Sequence, residues 1–114
     1  MKELQELCVW IALAITIGAK IALKPFGLAW FELLQLIPSA PAAFMGIASI
    51  PAEWAVATDE QEKALIVAVD QSLVLPWPAI EGAAEAVIEW VVKMAPHGQI
   101  GILSIFGLMN SLKK

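Results

Sequence analysis

Apolar residues arrive in this chain as blocks rather than as scattered positions. Leu7 to Ala19, Phe26 to Ile50 and Ile100 to Leu112 are near-continuous hydrophobic stretches, the second interrupted by Glu32, Gln35 and small or proline residues. A domain of 114 residues has a large surface for its volume, and with 60% of its residues apolar it cannot clothe that surface in polar groups comfortably. The pattern predicts that lipid forms part of this protein's solvent. It places the chain in a multi-pass membrane setting and leaves the identity of the membrane open.

The punctuation between blocks predicts an all-α fold: a small helical membrane protein of four to six short helices, with two to three spanning or re-entrant segments. The helices are expected at about 4–24, 27–37, 40–57, 60–75, 79–95 and 99–112 in one unit, 1–114. The first holds seventeen residues from Leu7 to Leu23, near the lower limit for a crossing, with Lys20 and Lys24 close enough to its end to snorkel. Lys24-Pro25-Phe26-Gly27 stops it. Pro38, Pro41 and Pro51 break the second block, because proline lacks the backbone donor and clashes with the preceding turn. Thr58 and Gln61 have capping-box spacing and start the next helix, which Pro76-Trp77-Pro78 is expected to close. The β-branched run Leu65–Val69 admits a strand pair, but Asp70-Gln71 makes a poor hairpin turn, so helix is preferred.

Several function classes lack support. The seven cations are all lysine and form no basic run, against a net charge of −4, so nucleic acid is not an expected partner. One cysteine, Cys8, excludes an internal disulfide. The single histidine, His97, lies in a Pro-His-Gly turn and cannot build a structural zinc site. Ser39, Ser49, Ser72, Ser104 and Ser111 lack a nucleophile-elbow context, and there is no phosphate loop or dinucleotide fingerprint. The chain is therefore expected to be non-enzymatic and to need no cofactor or metal. A cleaved leader is disfavoured by Glu3 and Glu6 in the basic region and by Ile17 at the −3 position.

Four groups of residues are candidates for function. Ala14, Gly18 and Ala22 form a small-residue stripe that lets another helix approach closely. Trp10, Trp30, Trp54 and Trp77 are twenty, twenty-four and twenty-three residues apart, the spacing of a span plus a turn, and are read as interfacial anchors. Asp70 and Glu32 are carboxylates in apolar runs. At bilayer centre each would cost about 2.5–3.5 kcal/mol, so each is a candidate intramembrane polar site. For Glu32 a helix end at the interface is the simpler reading. Glu81, Glu85 and Glu89 recur every four residues, with Lys93 next. They form either a solvated helix face or an acidic stripe for a hard cation or aqueous path.

The expected partners are the lipid bilayer and either further copies of the chain or larger membrane-protein subunits. The leading function is a self-associating structural or accessory subunit of a membrane assembly. In physical outline (small size, about three apolar segments, a lysine-ended tail) the chain is similar to phage holins, which implies pore formation. In general character it is similar to conjugative pilins, which implies a filament. A soluble helical oligomer whose apolar faces close against one another is the fourth reading. The lysines at 20 and 24 put the first connection on the cytoplasmic side if the chain crosses the bilayer.

Overall fold

The computed structural model describes residues 2–98 and 100–113. Its elements are helices: α1 (Lys2–Leu23), α2 (Ala29–Leu36), α3 (Ala40–Phe44), α4 (Ile50–Ala55), α5 (Asp59–Ser72), α6 (Ala83–Met94) and α7 (Ile102–Ser111), with short 3-10 turns at Ile37–Ser39, Ile47–Ser49 and Ala95–His97. Among the described residues no strand forms, only one antiparallel bridge between Ala79 and Lys113. The expected helix start at Gln99 lies outside the described residues, as does Lys114 of the tail.

Helix α1 is the axis of the fold. Glu3 in its first turn and Lys20 in its last match the helix dipole, and Pro25 follows its end. Leu4, Leu7, Cys8, Ile11, Ala12, Ile15 and Ala19 are all buried, on more than one stripe of the helix. All six other helices pack against it. Its length and hydropathy would suffice to cross a membrane, yet 44% of its most apolar window is already buried inside the protein. Much of its apolar character is therefore used by the chain's own core.

The prolines divide the second block as the sequence requires. Pro38, Pro41 and Pro51 each stand at the first or second position of a helical piece, where the missing N–H has no partner to lose. Between α3 and α4 the chain turns at Gly46, whose backbone lies directly under Glu3 of α1. A Cβ built there would fall 1.7 Å from Glu3 Cγ and 2.6 Å from its Cβ. Taken together, Ala29–Phe44 and Ile47–Ala55 could form a second crossing only as one span bent by 54°. The single helix expected over 40–57 is thus two short pieces. From α4, Glu53 accepts hydrogen bonds from the Leu4 N–H at 3.4 Å and the Ser49 hydroxyl at 3.1 Å. Its carboxylate so satisfies an orphan donor at the start of α1. Desolvation opposes its ionisation, but its hydrogen bonds, those from Leu4 and Ser49 among them, outweigh that, and the carboxyl titrates below the ordinary glutamate value.

Helix α5 opens on the expected capping box: Gln61 N–H donates to Thr58 Oγ1 at 3.2 Å and Thr58 N–H donates to Gln61 Oε1 at 3.0 Å. It ends at Ser72, three residues before the expected Leu75. The cause is Thr16 of α1, whose hydroxyl donates to Ser72 O at 2.9 Å and accepts from the Val74 N–H at 2.9 Å. Helix α6 starts at Ala83 rather than Ala79, because Gly82 adopts the left-handed conformation (φ 74°) that turns the chain into it. Upstream of that turn, Ile80 N–H donates to Leu112 O at 2.9 Å, which ties the approach to α6 to the end of α7. In α6, Ala84, Val87, Ile88 and Val91 face the core.

The radius of gyration is 13.6 Å, close to the ~13 Å expected of a globular chain of this length. The accessible surface, 6829 Å², exceeds the ~6,100 Å² usual for a soluble monomer of 12.3 kDa. The chain is compact, and it exposes apolar side chains along much of its length.

Candidate apolar interface

Helix α2 carries more apolar face than α1 covers. At 100° per residue, Ala29, Leu33 and Leu36 group on one side, and these are buried or half-buried. Trp30, Leu34 and Ile37 group beside them, flanked by Phe31, and all four are exposed. The apolar sector spans roughly 220° of the helix, and only about a third of it meets α1. The corner between α1 and α2 continues this surface. Phe26 is 103% exposed, Leu28 79% and Leu23 58%. With large apolar side chains taken at about 200 Å² each, these residues expose on the order of 900 Å². The largest apolar patch on an ordinary soluble monomer is about 300–600 Å².

The one charge in α2, Glu32, does not stand free on this face. Lys20 Nζ lies 3.2 Å from both of its carboxylate oxygens, with the two side chains about half exposed. Neither partner could be paired from sequence, since twelve residues separate them across a turn. The two charges neutralise one another at the edge of the apolar surface. Away from α2 the exposed side chains are more polar. Glu85, Glu89 and Lys93 are exposed along α6, while Glu81, expected on the same stripe, is exposed in the turn before the helix; Gln61, Lys63 and Gln71 are exposed on α5. The exposed surface is apolar at α2 and mostly polar along α5 and α6, where Val67 is also exposed.

The tryptophans divide between these environments. Trp30 is on the apolar flank, its indole N–H donating to Pro25 O. Trp10 is half-buried: its N–H donates to Leu36 O at 3.3 Å and Ser39 Oγ at 3.2 Å, and its ring meets Phe44 edge-on with centroids 5.3 Å apart. Trp54, Trp77 and Trp90 are partly buried against the core. Lys113 Nζ sits 4.4 Å from the centre of the Trp77 ring. The even spacing in sequence does not bring Trp10, Trp30, Trp54 and Trp77 to one kind of surface.

The small-residue stripe receives a helix of the same chain. A Cβ at Gly18 would meet Met109 Sδ at 3.7 Å and Phe106 Cε1 at 3.8 Å, so α7 lies over it, while Ala14 is half-buried and Ala22 exposed. The outer side of α7 is apolar too, with Leu103 85% exposed. Sequence length alone gave no sign that so short a helix would occupy the stripe.

Asp70 is exposed, not enclosed. It stands at the lip of a cleft of about 420 Å³ between the end of α5 and the start of α6, which Glu85 also lines. No group of three metal-ligating side chains forms among the described residues. His97 is exposed and Cys8 fully buried. The hydroxyls of Ser39, Ser72, Ser104 and Ser111 each donate to a carbonyl three or four residues upstream, which is the ordinary local use of serine in helices, and the Ser49 hydroxyl shares its one hydrogen between Gly46 O and Glu53. Comparison of the chain with protein-family models, with curated proteins and with solved structures finds no significant match.

Proposed function

We propose that this protein is a non-enzymatic structural or accessory unit seated on a membrane, with the α2 face and the Phe26 corner in hydrocarbon and the α5–α6 flank in water. The observation that carries this reading is the uncovered apolar sector of α2. Removing about 900 Å² of apolar surface from water is worth on the order of 20 kcal/mol gross, before the costs of association. A surface with that driving force finds a cover.

The charge distribution argues for shallow seating rather than a full crossing. If α1 spanned the bilayer, Glu81, Glu85 and Glu89 beside it would enter hydrocarbon, at up to about 2.5–3.5 kcal/mol each. Lying along one leaflet, α2 meets lipid while that acidic stripe stays hydrated. The Lys20–Glu32 pair then enters the interface as a neutral unit. A second reading has its own support: because 44% of the most apolar window of α1 is buried within its own chain and the radius of gyration is that of a globular domain, a soluble oligomer covers the same face with another copy.

Flotation with liposomes, followed by carbonate washing, separates the two. The membrane reading expects the chain to float and to remain with the lipid. A protein that stays at the bottom of the gradient and sediments as a discrete oligomer in detergent-free buffer would replace it with the second reading. A monodisperse monomer in the same buffer would remove both.

A further inference from the structure

Helix α7 divides into an inner and an outer side. At 100° per residue, Ile105, Leu108, Met109 and the following Leu112 group together, and the last three are buried. Leu103, Gly107 and Asn110 group opposite them, with Phe106 and Ser111 at the edges, and all five are exposed. Neither conformation nor packing within the chain calls for glycine at 107. Among the described residues only Gly82 and Gly98 have a positive φ, and a Cβ at Gly107 would meet nothing within 4 Å. Gly18 and Gly46, by contrast, lie under other side chains. Glycine weakens the interior of a helix relative to alanine, and on an outer face its use is to let a second helix approach closely.

We infer that this stripe pairs with the same stripe of a second copy of the chain, the two α7 helices running parallel and crossing at Gly107. Parallel alignment sets Asn110 against the partner's Asn110. An amide both donates and accepts, so the two side chains satisfy one another across the axis. Antiparallel alignment sets Asn110 against the partner's Leu103 and leaves the amide unpaired. The stripe carries no charge in a chain of net charge −4, so two copies meet there without like-charge repulsion. The next cation, Lys113, is drawn over the Trp77 ring, 4.4 Å from its centre. Leu103 is 85% exposed and Phe106 45%, and with Gly107 and Asn110 the stripe offers on the order of 300–400 Å² per copy. An interface that holds in water buries about 800 Å² a side. The pairing therefore depends on confinement to a membrane surface, which raises the effective concentration of the second copy. It rests on the membrane reading and adds the partner to it. No residue of α2 takes part.

Energy transfer between full-length chains in phosphatidylcholine vesicles, labelled through an exposed Lys63→Cys, tests the pairing. Transfer should rise with protein density in the membrane and stay absent in detergent-free buffer. Gly107→Leu should weaken association at least tenfold while its denaturation midpoint stays at or above that of the parent. Asn110→Ala should weaken it several-fold. Leu103→Cys, oxidised in the same vesicles, should form a disulfide-linked dimer through the parallel register, with wild type, whose Cys8 is fully buried, as the unlinked control. Association unchanged in Gly107→Leu would overturn the inference, as would a dimer in plain buffer that persists in that variant. Flotation of the same samples separates the two failures. A chain that floats but shows no transfer leaves the membrane reading standing and ends this one. A chain that does not float ends both.

Discussion

The Lys20–Glu32 pair reports on its surroundings, because the energy of breaking it depends on what covers it. In water, a half-exposed pair of this kind contributes about 0.2–1 kcal/mol. With lipid around it, Glu32→Gln leaves an ammonium group unpaired at the edge of hydrocarbon. The full cost at bilayer centre is about 2.5–3.5 kcal/mol, and snorkelling of the lysine stem recovers part of it. A loss of about 2 kcal/mol is therefore expected, close to a thirtyfold weaker partition into vesicles. Removing both charges, in Lys20→Met with Glu32→Leu, should restore or improve binding, since the desolvation of the pair disappears along with its attraction. Vesicle co-sedimentation across a range of lipid concentrations measures all three proteins on one scale. A change of less than twofold for Glu32→Gln, shrinking further with added salt, would show that water surrounds the pair and would refute the reasoning.

Three further outcomes follow from the packing. Thr16→Val should destabilise the fold by about 1–3 kcal/mol in denaturant titrations, because the Val74 N–H and the Ser72 carbonyl lose their buried partner. An unchanged midpoint would show that water reaches them. Gly46→Ala should cost about 1–3 kcal/mol through the clash with Glu3, with Gly18→Ala, which has ordinary contact distances, as the mild control. Glu53 titrates low when folded, so the stability it lends is complete above its unfolded pKa of about 4.3 and is lost as pH falls through the folded value. Glu53→Gln should accordingly flatten the acid side of the melting-temperature profile, and a profile parallel to wild type would exclude the Leu4 and Ser49 contacts as its source.

Local chemistry in the sequence located most helix starts and breaks. The Thr58–Gln61 box and the three prolines act through neighbours in the chain, so their effects can be read without the fold. Several of the differences involve distant residues. The end of α5 is decided by Thr16, fifty-six residues upstream of Ser72, and the approach to α6 is held by Leu112. The contacts of Trp10 with Phe44 and with the Leu36 carbonyl, twenty-six residues on, could not be read from its spacing. Most instructive is α1 itself. Hydropathy registers how apolar a helix is, but not whether lipid or protein covers it. Part of the exposed apolar surface sits on α2, a helix of eight residues too short to register as a span, and more of it lies at Met45, Val56, Val74 and Leu103.

The central claim is that hydrocarbon covers the outer face of α2, and Trp30 is the one tryptophan placed there. Quenching of intrinsic fluorescence by vesicles with brominated acyl chains tests it most directly. The claim expects a quenchable fraction in the wild-type protein that disappears in Trp30→Phe, with the other four tryptophans little affected. Fluorescence that brominated lipid leaves unchanged, while aqueous iodide quenches Trp30, would contradict it.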